Sequence, residues 1–144
     1  MFTFCYPARI RRDEAGRLVV DFPDFPDAHT DGKDLDEALD EAVDCLGSAV
    51  AFRMTDKEEI PRPSRIKRGQ RAVAVPFWIA GKLAPYLAMR ERGVNNSELA
   101  RRIGVRETVV RRMLDPNHAT RPVRLQRALA ALGKHLVIAV QDAA

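Results

Sequence analysis

Apolar and polar residues alternate through the first thirty positions of the chain, a period of two that predicts β-strands. Phe2, Phe4 and Tyr6 fall on one side of a first strand. A turn at Glu14–Gly16 should return the chain as a second, largely apolar strand. A short third strand is predicted around Ala28–Thr30, which would complete an antiparallel meander.

The period lengthens after Asp34, which predicts an amphipathic helix lying across the sheet. Asp34 suits the N-cap position, and Glu37 follows three residues later, as in a capping box. The predicted apolar side of this helix consists of Leu35, Leu39, Ala42, Leu46, Ala49 and Val50. The other side is acidic and consists of Asp36, Glu37, Asp40, Glu41 and Asp44.

A proline-rich, basic segment near residues 61–71 has no apolar period, so it is predicted to be an exposed connector. The next run, AVAVPF, is strand-like and can add a further strand to the first domain. Helical spacing begins at Phe77 and stops at Gly93. We therefore predict two domains, the first at 1–76 and the second at 77–144.

The most specific local pattern in the second domain is NNSELARRIGVRETVVRRML. Asn96 or Ser97 is predicted to cap a short helix, and Ala100 is small enough for two helices to cross closely there. Gly104 can adopt the positive φ that a tight turn requires. A second helix is expected from about Arg106 to Leu114.

This spacing resembles the helix-turn-helix of Xre-type, phage-repressor-like DNA-binding proteins, in which the second helix enters the major groove. The resemblance implies that base edges are contacted by Arg106, Glu107, Thr108 and Arg111. Phosphate contacts, which position the protein without specifying sequence, are expected from Asn96, Ser97 and Arg112. The alternative is a helical hairpin whose basic face is only solvated.

The remainder of the chain predicts one more helix and a short strand. The helix should begin near Pro122 and end at Gly133, burying Val123, Leu125, Leu129 and Leu132. The run HLVIAV, residues 135–140, is strand-like but has no partner in a helical domain. Because an unpaired strand invites pairing with a second copy, this tail predicts a homodimer or tetramer.

Charge is divided unevenly along the chain. Residues 1–64 contain 8 Lys and Arg against 15 Asp and Glu, whereas residues 65–144 contain 16 against 5. The asymmetry favours a basic partner for the first half and nucleic acid for the second, although solvated faces would give the same counts. No apolar run reaches the roughly 18 to 20 residues of a membrane span, and the N-terminus lacks signal-peptide order, so we expect a soluble, cytoplasmic protein.

The segment VVDFPDFPDAHTDG raises the hypothesis of a metal-dependent nuclease. Its carboxylates are Asp21, Asp24, Asp27 and Asp31. They lie in and beside one proline-bearing loop, whereas two-metal chemistry needs carboxylates that converge from separate elements. His29 forms no metal-ligand spacing with the other histidines, and the two cysteines form no C-x-x-C motif. We therefore expect no catalytic residue, no metal and no cofactor.

Taken in order, YPARI, the Asp13–Gly16 hairpin, VVDFPDFPDAHTDG, LDEALDEAVDCL, IPRPS, LARRIGV and LAALGKHL resemble a HicB-type antitoxin with a C-terminal Xre-like helix-turn-helix. The resemblance implies an α+β fold, with an N-terminal partial ribonuclease-H-like antiparallel sheet that has lost nuclease chemistry. It also implies two partners, a small basic HicA-type mRNA interferase and operator DNA. Candidate toxin-contacting residues are Asp21, Asp24, Asp27, Asp31, Asp36 and Asp40.

The resulting prediction is an antitoxin that occludes its toxin and represses its own operon, without enzymatic activity. The principal rival is a stand-alone transcription regulator whose N-terminal domain senses another ligand or only dimerises. The third hypothesis is an active metal nuclease.

Overall fold

The computed structural model describes residues 3–142 and divides into two compact units, one ending at Ala80 and the other beginning at Gly81. The division falls inside a helix, a few residues after the predicted boundary at 76/77. Phe2, which was assigned to the first strand, lies outside the described residues. None of the helices within residues 3–142 is both long and apolar enough to span a lipid bilayer. The described chain is a mixed α+β structure.

The first unit contains a four-stranded antiparallel sheet with the order β3-β2-β1-β4. Its strands are β1 (Cys5–Arg12), β2 (Leu18–Phe22), β3 (Phe25–Gly32) and β4 (Gln70–Ala74). Gly16 adopts a φ of 81° in the turn between β1 and β2, which confirms the predicted hairpin turn. The predicted meander is confirmed as well, and β4 adds the further strand beside β1.

The third strand is longer than predicted, and the proline-bearing segment is a hairpin rather than a loop. Phe22 pairs with Phe25, so Pro23 and Asp24 form a tight turn between β2 and β3. Pro26 is tolerated within β3 because this strand is at the edge of the sheet, where a backbone donor can be missing. The aspartates of this segment are therefore distributed over two strands and their turn.

One long helix, α1 (Leu35–Thr55), packs against the sheet, mainly on β3. The Asp34 carboxylate accepts a hydrogen bond from the Glu37 N–H at 2.9 Å, which confirms the N-cap. The Glu37 carboxylate reaches the backbone N–H of Lys33, one residue before the cap, so the capping box is not formed as predicted. Buried positions on α1 are Ala38, Ala42, Leu46, Gly47, Val50 and Met54.

Three predicted core positions on α1 are displaced from its buried side. Leu35 is exposed because it is the first helical residue and lies beyond the sheet-facing row, and Leu39 and Ala49 are only half-buried. The row with a spacing of four residues from Ala38 to Met54 contacts the core instead. Phe22 and Phe25 are fully buried, as expected for residues that anchor the hairpin.

The remaining helices are α2 (Phe77–Arg92), α3 (Asn96–Ile103), α4 (Glu107–Leu114) and α5 (Pro122–Ala131). The core of the second unit includes Met89, Leu99, Val110, Met113, Leu129 and Leu132. Gly104 adopts a φ of 69° after α3, which confirms the predicted positive-φ turn. Val105 packs half-buried against the core from that turn.

Two predictions for the second unit are wrong. Asn95, not Asn96 or Ser97, caps α3, and its side chain accepts a hydrogen bond from the Glu98 N–H at 2.9 Å. Val123 is exposed because it lies half a turn around α5 from the buried Leu132. Residues 135–140 pair with no other segment of the described single chain, so their strand, which needs a second copy, stays a prediction.

Candidate functional site

The hairpin aspartates of the first unit are engaged within the chain rather than converging on an ion. Ion pairs join Asp21 to Arg9 (2.7 Å), Asp27 to Arg53 (2.8 Å) and Asp31 to Arg17. The partners lie on β1 (Arg9), in the turn before β2 (Arg17) and on α1 (Arg53), so the carboxylates are separated along the hairpin. No group of three His, Cys, Asp or Glu side chains among residues 3–142 is arranged to hold a metal ion.

Asp24 attaches the tip of the hairpin to the connector that precedes β4. Its carboxylate accepts hydrogen bonds from the backbone N–H of Ser64 (2.8 Å) and from the Ser64 hydroxyl. Nearby, the Tyr6 hydroxyl donates to the carbonyl oxygen of Pro61 at 2.7 Å. Burial raises the pKa of Tyr6, so its hydroxyl stays protonated as a donor. Asp24 therefore has a structural role in holding the connector against the sheet.

Arg53 joins α1 to the hairpin through two contacts. Its guanidinium lies 4.7 Å from the centre of the Phe25 ring and donates to Asp27. The hydrogen bond from Arg53 holds the pKa of Asp27 below its usual range. Asp27 therefore forms an ion pair that holds the largely buried side chain of Arg53 in place.

The acidic face of α1 is different, because its carboxylates have no cationic partner among the described residues. We use the term acidic face for Asp36, Asp40, Glu41 and Asp44, all of which are exposed. Asp36, Asp40 and Asp44 form one row, spaced by four residues and therefore by about 6 Å along the helix axis. This face presents concentrated negative charge to solvent.

The predicted DNA-contacting residues of the second unit surround the turn between α3 and α4. Arg106, Thr108, Arg111 and Arg112 are exposed, and none of these arginines forms an ion pair with a described residue. Ser97 is also exposed, in the first turn of α3. An unpaired arginine keeps its five donors available for an external anion.

Two of the predicted DNA-contacting residues form a hydrogen bond with each other. The Asn96 side-chain amide donates to the Glu107 carboxylate at 3.4 Å, and both side chains are half-buried. This long hydrogen bond joins the first turn of α3 to the first turn of α4. Glu107 is therefore oriented by Asn96, which the sequence pattern did not indicate.

Sequence reasoning missed Lys82 of α2, the buried cation of the second unit, which is only 4% exposed. Its Nζ donates to the carbonyl oxygens of Arg112 (3.4 Å), Met113 (3.0 Å) and Asp115 (2.8 Å) and to Oγ1 of Thr120 (3.0 Å). Burial lowers the pKa of Lys82. The carbonyl oxygens of Arg112 and Asp115 also accept backbone N–H groups, so Lys82 adds a second donor there and supplies a donor to Met113 at the end of α4. The signal in the sequence was a lysine within the apolar run IAGKLAPYL.

Comparison with known proteins places these features in a family. The family model described as HicB_like antitoxin of bacterial toxin-antitoxin system matches residues 5–84. The protein named Antitoxin HicB 2 of Photorhabdus laumondii is 40% identical over 131 residues, which cover 91% of this chain and 92% of that protein.

Two further relatives agree with this assignment. Antitoxin HicB 1 of Photorhabdus laumondii is 35% identical, with 94% of this chain and 86% of the relative covered. Antitoxin HicB of Escherichia coli (strain K12) is also 35% identical, over 91% of this chain and 95% of the relative. The chain therefore belongs to the HicB-like antitoxin family of bacterial toxin–antitoxin systems.

Proposed function

We propose that this antitoxin acts through two surfaces, one for a small basic HicA-type toxin and one for operator DNA. The acidic face of α1 binds the toxin, and the exposed side of α3 and α4 binds the DNA. The observation that carries the proposal is that both surfaces retain charges without a partner among the described residues, whereas the hairpin carboxylates are bound by Arg9, Arg17, Arg53 or Ser64. Inhibition by occlusion requires neither catalysis nor a cofactor from this chain.

The proposed toxin surface retains only two of the six aspartates that were predicted from the sequence. Asp36 and Asp40 remain the primary candidates, together with Glu41 and Asp44 of the same face. Asp21, Asp24, Asp27 and Asp31 act indirectly, because their bonds to Arg9, Ser64, Arg53 and Arg17 shape the hairpin under α1. Exposed like charges facing a basic partner accelerate association and disfavour acidic competitors.

The toxin surface is tested with the full chain and the HicA-type toxin encoded beside it. We expect D36N/D40N/D44N to weaken toxin binding about tenfold or more at low salt, mainly through slower association. The matched control E14Q/D56N/E59Q removes the same charge from exposed sites off the acidic face and should bind like wild type. Equal loss in both variants would show that net charge alone matters. Absence of any toxin that co-purifies would favour the stand-alone regulator.

The DNA surface follows from the helix–turn–helix arrangement of α3 and α4. Arg106 and Arg111 are proposed to contact base edges, with Thr108 and Glu107 beside them. Arg112 and Ser97 are proposed to contact phosphates, and Asn96 contributes by orienting Glu107. The supporting observation is the unpaired state of the three arginines around the Gly104 turn.

Arginine variants distinguish base contacts from phosphate contacts. Arg106→Ala and Arg111→Ala should each weaken operator binding by about 1 to 3 kcal/mol and reduce discrimination against unrelated DNA. Arg112→Ala should weaken binding to all sequences alike and reduce the salt slope by about 1. Unchanged operator affinity in all three variants would show that another face binds DNA.

The apolar tail supports a homodimer or tetramer. Leu136, Val137, Ile138 and Val140 are exposed, and pairing with the same segment of a second copy would cover them and supply strand partners. Sedimentation of Ile138→Asp should therefore shift toward the monomer. Gln141→Asp adds the same charge at a polar position and should sediment like wild type. A wild-type chain that sediments as a monomer would contradict the proposal.

A further inference from the structure

The first unit has an excess of acidic residues but contains one long basic segment, the cationic connector, which we define as residues 62–71. This segment contains Arg62, Arg65, Lys67, Arg68 and Arg71 and no Asp or Glu. All of these cations are exposed except the half-buried Arg71. None forms an ion pair with a residue in the range 3–142. Elsewhere in the unit, Arg9, Arg17 and Arg53 form ion pairs with aspartates, and Arg12 donates to the carbonyl oxygen of Gly16.

The cationic connector is held in a defined position although it forms neither helix nor strand before β4. Ile60 is buried just before it, and Tyr6 and Asp24 fasten Pro61 and Ser64. At its other end, the Lys67 N–H donates to the Gln70 side chain at 2.8 Å. A segment fixed in this way loses little further conformational entropy when it binds a partner.

The side-chain types of the cationic connector indicate which class of partner it can bind. An acidic peptide would need apolar anchors as well as charge, and Ile66 is the only large apolar side chain in residues 62–71. Only the last two residues of the segment, Gln70 and Arg71, lie on the β4 edge of the sheet, where a peptide strand could pair. Single-stranded nucleic acid is usually held by stacking on aromatic rings, and this segment contains none. Duplex DNA presents dense phosphate charge that arginines contact without stacking.

We propose that the cationic connector is a second DNA-contacting element, in the first unit, that binds the phosphate backbone of duplex DNA. This inference extends the proposed operator binding by the second unit. The connector adds affinity and salt dependence without adding sequence discrimination, because phosphate contacts carry no direct sequence information. It also gives the acidic unit a face on which DNA is attracted rather than repelled.

The test is a salt titration of the full chain against a fluorescein-labelled duplex of mixed sequence, about 30 base pairs long, between about 50 and 200 mM salt. R65A/R68A should bind more weakly, with a slope of log affinity against log salt that is shallower by about 1.8. R65K/R68K keeps the charges and should keep the slope. R11A/R12A, on exposed positions of β1, removes the same charge from the same unit and should leave the slope unchanged.

Several outcomes would overturn the proposal. These are a wild-type slope in R65A/R68A, an equal change in R11A/R12A, or a larger effect on single-stranded RNA of the same length. Placing R65A/R68A in an R106A/R111A background separates this proposal from the helix–turn–helix. The connector effect should persist there, whether or not Arg106 and Arg111 prove to discriminate sequence. Circular dichroism of each variant verifies that the fold is retained.

Discussion

The two units use charged side chains of the same types for opposite purposes. In the hairpin of the first unit, carboxylates are matched by arginines or by Ser64, and the unpaired acids are concentrated on α1. In the second unit, Lys82 is buried against four oxygen atoms, whereas Arg111 and Arg112 at the end of α4 have no ion-pair partner among the described residues. Charge counts per segment therefore do not distinguish side chains that are paired within the chain from those that remain available to a partner. The ion pairs and hydrogen bonds of each charged side chain make that distinction.

This comparison is most sharply tested inside the second unit, at Lys82. Lys82→Met should lower the free energy of unfolding by about 2 to 4 kcal/mol, because it removes the Nζ donor from the buried carbonyl oxygen of Met113 and from the Thr120 hydroxyl. Urea unfolding of the full chain, followed by circular dichroism, measures the loss. A change below about 0.5 kcal/mol would mean that water satisfies these groups equally well.

The matched control is Arg111→Met, which removes a cation that has no described partner. We expect its unfolding free energy to stay within about 0.5 kcal/mol of wild type, because surface substitutions away from special contacts are usually neutral. Its operator binding should nevertheless fall. Lys82 and Arg111 would then separate structural from functional cations in a single unit.

The corresponding test in the first unit concerns the contact that positions the acidic face. A Cβ atom added to Gly32 would lie 2.4 Å from the backbone nitrogen of Ala38 in the first turns of α1. Gly32→Ala should therefore cost about 1 to 3 kcal/mol of stability and displace the start of α1 from β3. Toxin binding should weaken along with stability. Ser48→Ala, at an exposed position of the same helix, controls for substitution and should leave both unchanged.

Short sequence patterns predicted the turns and helix caps, because these features depend only on neighbouring residues. The turn at Gly16, the N-cap at Asp34 and the positive φ of Gly104 each depend on a few neighbouring residues. The stop of α2 at Gly93 is of the same kind, since that glycine also has a positive φ. These elements position the two candidate surfaces, whose binding roles stay predictions.

Features that depend on distant residues could not be predicted in the same way. The bonds of Asp27 to Arg53 and of Asp24 to Ser64 join positions 26 and 40 residues apart, so nothing near the aspartates shows that they are occupied. Lys82 meets its acceptors more than thirty residues along the chain. The predicted tail strand is a related case, because it requires a partner that residues 3–142 of one chain do not supply, and it stays a prediction about a second copy.

The smallest effect that we predict concerns acid stability and distinguishes a paired carboxylate from an unpaired one. The bond from Arg53 lowers the pKa of Asp27 in the folded chain, so the unfolded chain binds this proton more readily. The stabilisation from Asp27 is therefore fully present above its unfolded pKa, near 3.8, and is lost as the pH falls through the lower folded value. Because the Asp27 side chain is 65% exposed, we expect a contribution below about 1 kcal/mol.

Unfolding free energies of wild type and Asp27→Asn, measured between about pH 7 and pH 3, test this expectation. The difference between the two proteins should be constant near neutral pH and should shrink below about pH 4. Asp40→Asn removes the same charge from the acidic face and controls for the change in net charge. If the difference for Asp27→Asn stayed constant to the lowest pH, the ion pair with Arg53 would contribute nothing to stability. The hairpin aspartates would then be as available to a partner as the acids of α1, and the contrast between paired and unpaired charge would fail.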